Sequence, residues 1–185
     1  LLLDQEENET DIAKQKDIED IVALLTPVVK AFITDNAFET TNLCLQVFGG
    51  HGYIQEWGME QYVRDARINM LYEGPNGIQA LDLLGRKIMQ QQGAGMRRFL
   101  GMIQQFCEAN AKNTELTEFV LPLAEVTKQW GELTMDTGKK ASTNADEIGA
   151  ASYDYLYYSG YVVLAYWWAR SVATANASQH SEDFK

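Results

Sequence analysis

Glu73 is a carboxylate set between Tyr72 and Gly74, on a stretch that reads as a loop, and it follows the glycine-rich run Gly49, Gly50, His51 and Gly52. These residue types suit two tasks. A glutamate enclosed by a ligand loses solvation, its pKa rises toward neutrality, and it becomes a general base suited to a weak carbon acid. Glycines let backbone approach a bulky ligand, because without a Cβ they reach left-handed dihedrals at little cost. Each feature also has a plainer reading: a solvated loop carboxylate, a helix stop, and in His51 a structural hydrogen-bonder. The dinucleotide fingerprint needs a preceding strand, and none is legible here. No second His, Cys or carboxylate stands at ligand spacing around His51, so no metal site is expected, and His180 falls in a polar tail. Arg64, Asp65 and Arg67 form a charge group that is either catalytic or fixes a helix to its surroundings.

The elements that must position these residues are helical. Ile18, Ile21, Val22, Leu25, Val28, Val29 and Phe32 fall three and four apart, which marks an amphipathic helix from Asp17, kinked at Pro27. Asp35 or Asn36 can start a second helix to Phe48, ended by Gly49 and Gly50. Residues 57–71 read as a third helix, 72–76 as a loop, and 77–91 as a fourth helix. Gly93 and Gly95 mark a break, giving two units, 1–94 and 95–185. In the second unit Asn113 or Thr114 can cap a helix to about Thr137 with a kink or break near Pro122. Asn144 with Glu147 resembles a capping box opening a last helix to about Ala175. No stretch alternates with period two. The expected fold class is all-α: a four-helix-bundle-like unit followed by a second helical bundle.

Composition narrows the function classes. A formal charge of −11 disfavours nucleic acid and anionic membranes, which are bound through surplus Lys and Arg. Eight Asp/Glu against two Lys in residues 1–20 put over half of that excess into what reads as the tail of an earlier helix and a solvated linker. Cys44 and Cys107 are too few for a disulfide framework, so the expected setting is reducing and cytoplasmic. Residues 155–169 are uncharged and aromatic, yet shorter than the ~20 residues of a membrane span, and Asp154 and Arg170 flank them. A buried packing helix is expected, with an oligomer interface as the other use of those aromatics.

Three ordered segments, Gln46 with Gly49, Gly50 and Tyr53, then Arg64 to Ile68, then Tyr72, Glu73 and Gly74, together resemble the C-terminal region of the acyl-CoA dehydrogenase family. Residues 76–87 resemble its larger branch, whose members carry an extra C-terminal helical domain. The resemblance implies that Glu73 takes the α-proton of an acyl-CoA while the β-hydride passes to FAD, giving a trans-2-enoyl-CoA, as in fatty acid β-oxidation. It further implies that Tyr72 and Gly74 meet substrate, that the Glu73 N–H helps polarise the thioester carbonyl, and that Gln46, Gly49, Gly50 and Asn76 meet FAD, the first three on a neighbouring subunit. A homo-oligomer and an electron-transferring flavoprotein or similar acceptor are implied as partners.

One departure stands out. The family usually has threonine after Glu-Gly, and this chain has Pro75, which lacks the hydroxyl and amide donors that help hold FAD. Family members also carry an N-terminal helical domain and a middle β-domain, so these 185 residues read as a C-terminal fragment, inactive alone. The other function readings are a non-dehydrogenating flavoprotein relative and a helical interaction or assembly module.

Overall fold

The structure is a computed structural model that describes residues 2–179. The described residues are helical, with no strand among them: α1 (Leu2–Asn8), α2 (Ile12–Val47), α3 (Gly50–Tyr53), a 3-10 turn (Gln55–Trp57), α4 (Met59–Asn69), α5 (Asn76–Leu81) running on into a π-helical segment (Asp82–Gln90), α6 (Ala94–Asn110), α7 (Thr117–Thr143) and α8 (Asp146–Gln179).

Helix α2 departs most from the sequence expectation. It is continuous, and it starts at Ile12 because the Asp11 carboxylate accepts from the Ala13 N–H at 2.9 Å. The acidic start is therefore α1 and the first turns of α2, joined by residues 9–11. Pro27 lies buried inside α2 without ending it. Packing on both sides of the proline offsets its cost of about 3 kcal/mol, since Leu24, Leu25 and Val28 are all buried. The inner stripe runs through Ile21, Leu24, Val28, Ala31 and Phe32, whereas Val29 faces outward. Asp35 starts no helix; it is buried within α2.

One cluster of buried side chains draws on α2, the π-helical segment, α6, α7 and α8. Leu83, Leu84 and Ile88 of the π-helical segment enter it, and Gly93 (φ 65°) then turns the chain into α6. Gly95 lies inside α6, where a Cβ would stand 2.3 Å from the Asp20 carbonyl oxygen, so only glycine lets α6 cross α2 this closely. Arg98 of α6 pairs with Asp17 at 2.5 Å and also with Asp20, which gives part of the acidic stretch an ionic partner. Helix α7 begins at Thr117, three or four residues beyond the expected cap at Asn113 or Thr114, and Pro122 sits in its second turn without breaking it. At α8 the Asn144 side-chain oxygen accepts from the Asp146 N–H at 3.2 Å. Buried Tyr155, Leu156, Val162 and Tyr166 turn the aromatic run into the core. Among the described residues one helix, α2, is long and apolar enough in part to cross a bilayer, a property that core helices of soluble proteins share.

Tyr155 is buried with its hydroxyl 2.6 Å from that of Thr134, and burial pushes its pKa above the ordinary value. The folded chain therefore holds this proton more tightly than the unfolded chain, in which tyrosine titrates near 10. The associated stability is complete below that pH and lost above it. Urea titrations between about pH 8 and pH 11 should show unfolding free energy falling above about pH 10, with a slope approaching ~1.4 kcal/mol per pH unit for this residue. Tyr155→Phe should flatten that fall.

Candidate active site

The segment from Leu71 to Pro75 is a tight turn between α4 and α5. Its ends are tied by the Asn76 N–H donating to the Met70 carbonyl at 3.3 Å. Within it Glu73 has φ 55° and Gly74 φ 88°, two consecutive left-handed residues. Gly74 takes that value freely, but for glutamate it costs on the order of 1–3 kcal/mol, so the surroundings must impose it. Those surroundings are polar. Gln79 Nε2 donates to the Glu73 carbonyl at 3.3 Å, and Lys30 Nζ donates to the Gly74 carbonyl at 2.9 Å. A Cβ on Gly74 would lie 2.6 Å from Gln79 Nε2. The Pro75 carbonyl accepts from the Ile78 N–H at 2.8 Å and begins α5.

Asn76 is buried with its side chain turned into α2. Its Oδ1 accepts from Lys30 Nζ at 2.7 Å, and its Nδ2 donates to Asp35 Oδ1 at 2.6 Å and to the Ala31 carbonyl at 3.2 Å. The other Asp35 oxygen accepts from the hydroxyls of Tyr153 at 2.5 Å and Tyr157 at 2.9 Å, both on α8. The turn is thus anchored from beneath, with the Asn76 side chain on the anchoring side. The Glu73 and Tyr72 side chains face outward, and the Tyr72 hydroxyl donates to Asn69 Oδ1 at 2.6 Å. The Glu73 N–H donates to no group among the described residues. An exposed carboxylate and an available amide donor therefore belong to one residue held in a fixed conformation.

The glycine turn is built differently. Gly49 (φ 59°) stops α2, its N–H donating to the Gln46 carbonyl at 3.0 Å. A Cβ on Gly49 or Gly50 would meet nothing within 4 Å, and both residues and Gln46 are exposed. Gly52 is a packing glycine instead, where a Cβ would stand 2.5 Å from the Leu45 carbonyl oxygen. His51 packs edge-on against Trp57, with ring centroids 5.5 Å apart. Asp65 accepts from Gln61 at 2.7 Å and Arg67 lies over the Phe38 ring at 5.8 Å, so both groups serve local packing on and beside α4. His180 lies outside the described residues. No cluster of three or more His, Cys, Asp or Glu is placed for a metal among the described residues.

These two turns do not form one pocket. Lys30 touches the Glu73 turn, and Val47 ends α2 beside the glycines. At a rise of 1.5 Å per residue they lie about 25 Å apart along one helix. Lys30, Asp35, Tyr153 and Tyr157 are absent from the sequence reading of the site. A buried-face Asp in an apolar helix and tyrosines four apart on another were the available signals.

Two family models match the chain: "Acyl-CoA dehydrogenase, C-terminal domain" over residues 10–89, and "Acetyl-CoA dehydrogenase C-terminal like" over residues 99–185. Among similar proteins, the broad-specificity linear acyl-CoA dehydrogenase FadE5 of Mycobacterium tuberculosis is 34% identical over 84% of this chain and 26% of its own length. The 3-methylmercaptopropionyl-CoA dehydrogenase of Ruegeria pomeroyi is 51% identical over 43% of this chain and 13% of its own. A butyryl-CoA dehydrogenase of Syntrophomonas wolfei is 24% identical over 88% of this chain and 32% of its own. The chain spans a third or less of the length of each of these relatives.

Proposed function

The chain belongs to the acyl-CoA dehydrogenase family, matching its C-terminal region, and on that premise we propose that it supplies the catalytic base of an FAD-dependent enzyme oxidising an acyl-CoA thioester to the trans-2-enoyl-CoA. The observation that carries this reading is the Glu73 turn, which offers a carboxylate and its own N–H outward from a backbone fixed by Lys30, Asn76 and Gln79. The carboxylate removes the α-proton. The N–H donates to the thioester carbonyl oxygen, where negative charge develops as that proton leaves. A ligand lying over Glu73 excludes bulk water from around the carboxylate, so the proton passes to the base and not to solvent. FAD, when bound, supplies the acceptor for the β-hydride. Tyr72 lines the acyl pocket, and Gly74, whose missing Cβ makes way for Gln79 Nε2, lets the turn present Glu73 to the substrate.

Fit to FAD rests on the open backbone at Gly49 and Gly50, where a flat cofactor meets no side chain. The 25 Å separation along α2, about the reach of seventeen helical residues, supports assigning that contact, with Gln46, to a neighbouring subunit's FAD. Asn76, its side chain committed to α2 and its N–H to the Met70 carbonyl, serves the cofactor by holding the turn in place. Exposed Val47, Phe48, Tyr53 and Trp57 beside these glycines favour an oligomer that covers them.

In this reading residues 1–94 form the catalytic-base unit and 95–185 the accessory unit, a division supported by the gap between the two family matches. The protein acts in the cytoplasm in fatty acid β-oxidation, passes electrons to an electron-transferring flavoprotein or similar acceptor, and binds neither nucleic acid nor membrane. These 185 residues alone neither hold FAD stoichiometrically nor turn over acyl-CoA.

Pro75 favours a second reading, a non-dehydrogenating relative or an assembly module, because it can donate no hydrogen bond to FAD. Anaerobic addition of a linear acyl-CoA to the complete enzyme separates the two. Bleaching of the visible flavin band is expected, and an unchanged spectrum would favour the second reading.

A further inference from the structure

We propose that Asp35, Tyr153 and Tyr157 are positioning residues through which α8 braces the Glu73 turn, by way of Asn76. The inference rests on the reading of Glu73 as the base. Asp35 is 7% exposed on the inner face of α2, beside Ala31 and Phe32. A buried carboxylate has only acceptors and needs donors to offset its lost hydration. Its donors come from two separate places: Asn76 Nδ2 on one oxygen, and the hydroxyls of Tyr153 and Tyr157 on the other.

Asn76 is three residues past Glu73 and starts α5, so its side chain sets the height of the turn above α2. Lys30 reinforces this by bridging Asn76 Oδ1 and the Gly74 carbonyl. The tyrosines are themselves held in place. A Cβ on Gly160 would stand 2.3 Å from the Phe32 ring, which shows how closely α8 lies on α2, and Phe32 meets Tyr157 edge-on at 5.7 Å.

The energetics favour positioning over bulk stability. Apolar side chains of similar volume would stabilise a core at least as well as a buried charge, and what such a network adds is a single register. Here that register ends on two consecutive left-handed residues, the conformation most in need of imposition. Both phenols stay donors through neutral pH, because burial first, and Asp35 next, raise their pKa values.

The test pairs Tyr153→Phe/Tyr157→Phe with the control Tyr158→Phe, whose hydroxyl bonds the Val126 carbonyl at 3.1 Å on the far side of α8. Amide hydrogen exchange in residues 72–79 should rise about fivefold or more in the double variant and stay within about twofold in the control, with core amides of α2 unchanged. In the complete enzyme the double variant should lose about tenfold in kcat while KM for acyl-CoA moves less than about twofold, because the base is misplaced and substrate binding is not. Unchanged exchange at 72–79, or an equal rise across the α2 core, overturns the proposal. So does unchanged kcat in a protein that Glu73→Gln inactivates. If Glu73→Gln itself retains turnover, the assignment of the base has failed separately, and the exchange result alone decides whether α8 braces the turn.

Discussion

Glu73→Gln in the complete enzyme lowers acyl-CoA turnover by about 10²- to 10⁴-fold, the range expected for loss of a general base. Glutamine keeps the shape of the side chain, the φ of 55° and the available N–H, and removes only the capacity to take a proton. The turn is held by Lys30, Asn76 and Gln79 through the main-chain carbonyls of Glu73 and Gly74 and through Asn76 itself, none of which the substitution alters. Flavin content should therefore match the wild type, and acyl-CoA should still bind. Single-turnover flavin reduction is the measurement that isolates the step. A variant within about tenfold of wild type would take the base role from Glu73.

The largest effect on folding is expected at Trp130. It is 0% exposed and the largest of the fully buried side chains, packed edge-on against Phe99 at 6.3 Å. Trp130→Ala leaves a cavity between α6, α7 and α8 and should cost about 3–5 kcal/mol, read as a drop in the urea midpoint of the 185-residue chain. That is a large share of the ~5–15 kcal/mol that holds a typical domain together. Trp130→Phe should be much milder for a specific reason. Among the described residues the buried indole N–H has no partner in good hydrogen-bond geometry, the Tyr155 hydroxyl being its polar neighbour, so phenylalanine loses volume but strands no strong bond. Equal costs for the two substitutions would mean that the N–H finds a partner in solution.

The helical periodicity of Ile21, Leu25, Val28 and Phe32 made α2 legible, and Gly49 ended it where a left-handed stop was expected. What local signals could not convey was how far tertiary packing overrides them. Pro27 reads as a kink because proline lacks a donor, yet it is buried among leucines that keep the helix continuous. Asp35 reads as a helix start because Asp favours caps. Its actual partners, Asn76 and the α8 tyrosines, stand 41, 118 and 122 residues away along the chain, beyond any local pattern. The acidic opening reads as a linker because charge is usually solvated, while in the fold Asp17 and Asp20 pair with Arg98 of α6. At the site, the glutamate and the two glycines could be picked out by residue type. Their separation could not, since it depends on a helix that the sequence reading split in two.

That uninterrupted helix has a genetic consequence. If α2 braces the Glu73 turn against one cofactor and ends at Gly49 and Gly50 against a neighbour's, each reaction centre is assembled from two polypeptides, and each polypeptide serves two centres. A subunit disabled at Glu73 and another disabled at Gly50 would then be inactive apart and partly active when co-assembled. Within a mixed oligomer, one of the centres they share would inherit an intact base from one chain and an intact glycine turn from the other.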